Sequence, residues 1–191
     1  MKHKKLWLGA FVLVALVQLY VPAQMIWQQE NVLTTGTEYR FRTAPIDPYD
    51  PFRGKYITLS FRQNRVAVPA DESWTVGESV YATLATDSTG FAEIAQVTKT
   101  APTDTKGYLK VRVRNIYDDK MTIRYPFERY YMEESKAYDA EVLYRESRWD
   151  EDQVAYALVS VSQGDAVLKD VLIDDVPIRE LVETKQQLER E

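Results

Sequence analysis

Two hydrophobic periods divide the chain. Positions 6–21 are apolar apart from Gly9, Gln18 and the hydroxyl of Tyr20, and the apolar character continues through Pro22, Ala23, Met25, Ile26 and Trp27. Such a run has no polar face, so it reads as a helix with apolar surroundings on all sides. As a helix, 6–27 spans roughly 33 Å, about the hydrocarbon thickness of a bilayer. Residues 28–31 are polar and Gly36 closes the stretch, so 28–36 reads as a stalk. From residue 37 onward the period becomes two.

Alternation places Tyr39 and Phe41 opposite Arg40 and Arg42, and Ile57, Leu59 and Phe61 opposite Tyr56, Thr58 and Ser60. This is the pattern of half-buried strands. Strands are predicted over 37–43, 55–62, 65–68, 79–86, 91–98 and 108–114, the last with Leu109, Val111 and Val113 inward. Asp118-Asp119 marks a turn, after which Met121, Ile123, Tyr125 and Phe127 alternate with polar residues. Residues 154–162 are apolar on both faces and read as a central strand, joined by a turn at 163–165 to another at 166–173. Helices are expected near 134–146, with Ala137, Glu141 and Tyr144 on one side, and near 178–189, where Ile178, Leu181, Val182 and Leu188 fall at helical spacing. The fold class is therefore mainly β: an N-terminal transmembrane helix, then a β-rich extracytoplasmic domain.

A weak internal similarity accompanies this pattern. At an offset of 64, residues 57–61 align with 121–125, Arg65 with Arg129, and 94–97 with 158–161. The domain, 37–191, is thus read as a candidate duplication of β units at 37–115 and 116–178, against the alternative that alternating strands align by accident at even offsets.

Charge gives the first segment an orientation. Lys2, Lys4 and Lys5 form a basic tail at 1–5, so the positive-inside rule keeps the N-terminus in the cytoplasm and exports the rest. The membrane lipid then becomes the partner of 6–27, and the inner membrane and periplasm become the expected location. Trp7, Tyr20 and Trp27 suit the two interfaces. A cleaved signal peptide is the competing reading, with small residues near Ala23. A buried core helix is the third, and leaves the basic tail without a role.

Composition removes whole classes of chemistry. The chain of 191 residues has no cysteine and one histidine, His3, in the tail. Disulfides, thiol catalysis and thiolate metal sites are excluded, and the domain has no imidazole for a triad or a zinc site. With three basic residues and one acidic in 1–30, the remaining 21 basic and 28 acidic residues give residues 31–191 a net charge of −7. That argues against nucleic acid, whose binding rests on cationic side chains. No cofactor and no metal site is expected.

One stretch stands apart. Asp47-Pro48 and Asp50-Pro51 are turn formers, Gly54 permits a sharp entry, and the strand from Tyr56 follows directly. The segment Gly54, Lys55, Tyr56, Ile57, Thr58, Leu59, Ser60, Phe61 resembles the signature of the bacterial GDYXXLXY family. Gly54, Tyr56 and Leu59 fit, while Lys55 stands where the motif has Asp and Phe61 where it has Tyr. Pro45, Asp47, Pro48 and Arg53 match the family's approach to the motif. A second block, 125–134, resembles a later family segment, with Pro126 in place of a more usual Gly. The resemblance implies a membrane-anchored protein from a family of unknown function. It also suggests a partner among multi-pass membrane proteins.

Candidate binding residues are Asp47, Asp50, Arg53, Gly54, Tyr56, Glu128 and Arg129. The two aspartates could hold a hard cation through oxygen, but Asp-Pro turns explain them without one. Arg53 has the fork geometry for a carboxylate or phosphate, or for pairing with Asp50. Glu128 is expected to pair with Arg53 or Arg65. Tyr125, Phe127, Tyr130 and Tyr131 form either a glycan- or peptide-binding face or core packing. A Ser/Lys hydrolase would need a serine beside a desolvated lysine. Ser60, Ser73 and Ser79 and Lys55 and Lys99 are present without a nucleophile turn, and abundant carboxylates alone do not mark a glycosidase. No catalytic residue is assigned. The reading that results is an anchored periplasmic accessory or interaction protein without catalysis, with an envelope glycan- or peptide-binding module as the alternative.

Overall fold

Lys2–Thr35 forms one continuous helix, α1, with Pro22 inside it. The structure, a computed structural model, describes residues 2–44, 56–69, 72–147 and 153–189. Beyond α1 the elements run β1 (Thr37–Arg42), β2 (Tyr56–Thr58), β3 (Arg65–Ala67), β4 (Ser79–Thr86), β5 (Ala92–Thr98), β6 (Tyr108–Tyr117), β7 (Lys120–Arg124), β8 (Arg129–Tyr131), α2 (Glu134–Glu146), β9 (Ala155–Ser162), β10 (Asp165–Ile173), β11 (Val176–Pro177) and α3 (Ile178–Leu188). The protein is mainly β with an apolar N-terminal helix, and helices lie where 134–146 and 178–189 predicted them.

The strands form a five-stranded sheet, β3-β7-β6-β4-β5, a four-stranded sheet, β1-β9-β10-β11, and the pair β2-β8. All three contribute to one core, in which Phe41, Leu109, Val111, Val113, Met121, Ile123, Val159 and Val171 are buried. Alternation carries this directly. In β6 Leu109, Val111 and Val113 are buried while Lys110, Arg112 and Arg114 are exposed. β9 is buried at six of its eight positions, because it is a central strand covered on both faces.

Three hairpins turn on pairs of residues that are both left-handed: Asp118 and Asp119 (φ 52° and 56°), Gln163 and Gly164 (50° and 96°), and Asp174 and Asp175 (50° and 65°). Two-residue turns of this hand match the twist of antiparallel strands. Gly164 also lets the β9–β10 turn close on β6. Its N–H donates to the Tyr108 carbonyl at 3.0 Å and its carbonyl accepts from Lys110 at 2.9 Å. A Cβ there would meet the Tyr108 ring at 3.3 Å.

The strand expected over 55–62 is divided between two partners. β2 pairs with β8, and the Leu59 N–H still donates to the Glu128 carbonyl at 2.8 Å. Phe61 then bridges to Thr43 at the end of β1. Ile57, Leu59 and Phe61 are nonetheless all buried. A period of two records which face is covered, not which strand covers it.

The strands of 37–115 and 116–178 are interleaved: β1 pairs with β9 and β3 with β7. The offset of 64 lays β5 over β9, but lays β4 over the end of α2 and beyond.

The junction of α1 with the domain is closely fitted. Val32 is buried, its carbonyl accepts the Ser160 hydroxyl at 2.6 Å, and the Gly36 N–H donates to the same oxygen at 3.0 Å. Gln28 Nε2 donates to Asp165 Oδ2 at 2.7 Å. A stretch expected to be a stalk is thus the last two turns of the helix, seated against β9 and β10.

Candidate functional site

The two motif-bearing segments meet in the β2–β8 pair. Tyr56 lies opposite Tyr131, Ile57 opposite Tyr130 and Thr58 opposite Arg129. Alternation then sorts the side chains. Ile57 and Tyr130 point into the core, while Tyr131 is 61% exposed. The Tyr56 and Tyr131 rings are 5.3 Å apart, and the Arg129 guanidinium lies 4.9 Å from the Tyr56 ring centroid. A hydrogen bond with Tyr131 raises the Arg129 pKa further, so that side chain is a fixed cation. The result is a short edge of two tyrosines and one arginine, at the end of the strand that follows residues 45–55.

Asp47, Asp50, Arg53 and Gly54 lie outside the described residues, as does Lys55. Of the remaining candidates, Tyr56 and Arg129 come together and Glu128 stands aside from them. The Glu128 carboxylate takes Arg124 Nε at 3.0 Å, one helical spacing away along the chain, rather than Arg65.

The other aromatics of the second block are structural. Phe41, Phe61, Tyr125 and Phe127 form a buried quartet with centroid distances of 5.1–5.9 Å, mostly edge to face. The Tyr125 hydroxyl donates to the Gln63 carbonyl. Burial raises its pKa well above the ordinary phenol value.

Behind the exposed edge sits a polar relay. Tyr130 OH donates to Asp170 Oδ1 at 2.5 Å and accepts from Arg179 Nε at 2.5 Å. It ties β8 to β10 and α3. Burial first, and the bond to Asp170 second, push the Tyr130 pKa up to about 12. The relay keeps the phenol neutral near neutral pH, so it acts as a clamp and not as an acid. Asp170 and Arg179 are 40 and 49 positions away from Tyr130 in the chain, and no local pattern marks either.

The pattern of the GDYXXLXY protein family matches residues 18–171. The chain belongs to the GDYXXLXY family. No curated protein and no solved structure matches it.

In this GDYXXLXY protein the motif positions divide by role. Leu59 and the Phe61 that stands for the last tyrosine are core residues, 2% and 3% exposed, and Tyr56 belongs to the surface edge. The lysines and serines weighed for hydrolysis do not make an acid–base pair among the described residues. Lys99 Nζ pairs with the Glu78 carboxylate at 3.0 Å and donates to the Ser73 backbone carbonyl at 2.5 Å. An ammonium held by a carboxylate is the opposite of the desolvated neutral amine such chemistry requires. Lys99 and Thr75 together hold the Glu78 pKa below the usual carboxylate value. No group of three His, Asp or Glu side chains converges in metal-holding geometry among the described residues.

Proposed function

We propose that this GDYXXLXY protein is a single-pass inner-membrane protein, with its N-terminus in the cytoplasm and its β domain in the periplasm, acting there as a non-catalytic accessory to a multi-pass membrane protein. The observation that carries the reading is α1. It is long and apolar enough to cross a bilayer, and none of its apolar window is buried by the rest of the chain. Trp7, Phe11, Leu19 and Trp27 are each more than 70% exposed. Burying a side chain of that size is worth about 1.5–3 kcal/mol, so lipid is the surrounding that suits the segment. Lys2, His3, Lys4 and Lys5 precede it, which sets the orientation by the positive-inside rule. The domain supplies no cysteine and no histidine, which favours recognition over turnover.

Protease treatment of spheroplasts tests the orientation. The domain is expected to be degraded with the outer membrane opened and the inner membrane intact; protection until the inner membrane is lysed would overturn it. Purification of the intact chain in mild detergent is expected to retain a polytopic partner in constant ratio, and recovery of the chain alone in several such detergents would count against the accessory role.

A second reading has its own observation, the exposed Tyr56–Tyr131–Arg129 edge. Paired tyrosines beside a fixed cation suit an anionic glycan or a peptide carboxylate. Soluble peptidoglycan fragments should then shift the NMR signals of Tyr131 and Arg129 saturably; unmoved signals at millimolar fragment would remove this reading.

A further inference from the structure

Two glutamines, Gln18 and Gln24, lie inside the apolar span of α1, and only Gln18 is near its middle. Gln18 lies about 2 Å from the middle of 6–27, and its side chain is exposed. Pro22 sits inside the helix four residues later. Proline has no N–H, so the Gln18 backbone carbonyl loses its helical donor. One residue therefore presents both an amide side chain and an unpaired carbonyl where lipid offers neither donor nor acceptor.

That locus lies on the side of the helix that bears the domain. At 3.6 residues per turn, Val14, Gln18, Pro22, Met25, Gln29 and Val32 fall within about 40° of one line. At the outer end the same line meets β10. Met25, Gln29 and Val32 form one wall of a cleft of about 320 Å³ whose other wall includes Lys110, Asp165 and Val167. Gln28 and Val32 hold the helix to Asp165 and Ser160. The domain thus overhangs the polar stripe.

The overhang selects the occupant. A second copy packed on this face at the usual 8–10 Å between axes would have to carry its own helix on through residue 35, into the space its neighbour's domain fills. A helix that ends at the outer membrane surface meets no such obstruction. We propose that the Val14–Gln18–Met25 face binds a transmembrane helix of another chain, one that carries a hydrogen-bonding side chain near mid-span and turns back beneath the domain at the cleft. This rests on the membrane-anchored reading and specifies its partner surface.

The test is photocrosslinking of the full-length protein in native membranes, with a benzophenone amino acid placed singly at Val14 or Met25, on the stripe, and at Leu16 or Tyr20, on the opposite side. Adducts are expected from the first two only, with mass spectrometry placing the linked peptide in a membrane-spanning segment that contains Asn, Gln, Ser, Thr or His. Gln18→Leu should lower the Val14 adduct about threefold or more, the scale of one interhelical hydrogen bond. Equal yields from both sides, a self-adduct of twice the chain mass, no adduct, or an adduct indifferent to Gln18→Leu would overturn the proposal. Alkaline carbonate extraction separates the two levels: release of the wild-type chain would overturn the anchor itself, while retention without face-specific adducts overturns only the partner surface.

Discussion

Ser160, on the central strand of its sheet, gives its hydroxyl proton to the carbonyl of Val32, three residues from the end of α1, over 2.6 Å. Gly36 completes the joint, since a Cβ there would lie 2.5 Å from Ser160 Oγ and closer still to the Val32 oxygen. Ser160→Ala is expected to cost about 0.5–1.5 kcal/mol, one buried hydrogen bond. Gly36→Ala forces a methyl against the Val32 and Val161 carbonyls and is expected to cost about 1–3 kcal/mol. Both should speed amide hydrogen exchange over 28–36 in the detergent-solubilised chain before they affect β6. Unchanged exchange there would mean that the helix end is not seated on the domain.

Alkaline stability follows from the tyrosines. Burial, and hydrogen bonds to Asp170 and Asp175, push Tyr130 and Tyr156 up to about 12, above the ordinary phenol value of about 10. The phenol is neutral when protonated, and its folded pKa lies above the unfolded one. Its contribution is complete below pH 10 and is lost as pH rises towards 12. Thermal midpoints should fall through that window. Tyr130→Phe should lower the midpoint at pH 8 and flatten the alkaline fall, and an equally steep fall in the variant would discount the relay as its source.

The left-handed aspartates separate strain from bonding. Asp119 has φ 56° at a turn position that favours glycine. Asp119→Gly is expected to stabilise by up to about 1 kcal/mol, because a left-handed residue with a Cβ costs about 1–2 kcal/mol and glycine returns part of that as entropy. Asp175 has φ 65° in the equivalent turn, but it accepts the Tyr156 hydroxyl at 2.5 Å and lies 3.6 Å from Arg40. Asp175→Gly should therefore gain nothing or destabilise. Calorimetry of the two variants decides it; equal gains would mean that the Tyr156 bond contributes nothing.

Aromatic residues of one short block should respond very differently to truncation. Phe127→Ala opens the buried quartet and is expected to cost about 3–5 kcal/mol. Tyr131→Ala removes an exposed cross-strand contact and is expected to cost under about 1 kcal/mol. Chemical denaturation in micelles compares them. A costly Tyr131→Ala would assign the edge to structure and remove its surplus for ligand recognition.

Part of this was legible in the linear pattern because it depends on neighbours along the chain. The apolar run at 6–27, whose only amide side chains are Gln18 and Gln24, dictates a helix with apolar surroundings. The alternation at Leu109, Val111 and Val113 dictates a strand with one covered side, and Ile178, Leu181 and Val182 dictate a helix with one buried face. The GDYXXLXY likeness was readable for the same reason, since a motif is local. The turn at Asp174-Asp175 was missed although the same pair at Asp118-Asp119 was readable, because the strand that follows, Val176–Pro177, is too short to show alternation.

What folding alone decided are relationships between distant positions. The sequence by itself determined which side chains must leave water; it could not say that Phe61 would leave β2's partner to bridge Thr43, because burial constrains a face and not a neighbour. Nor could it place Arg179 and Asp170 on Tyr130, or Ser160 on Val32. A hydrogen bond across 40 to 128 positions leaves no trace in local periodicity, because its geometry exists only once the sheets have closed on one another.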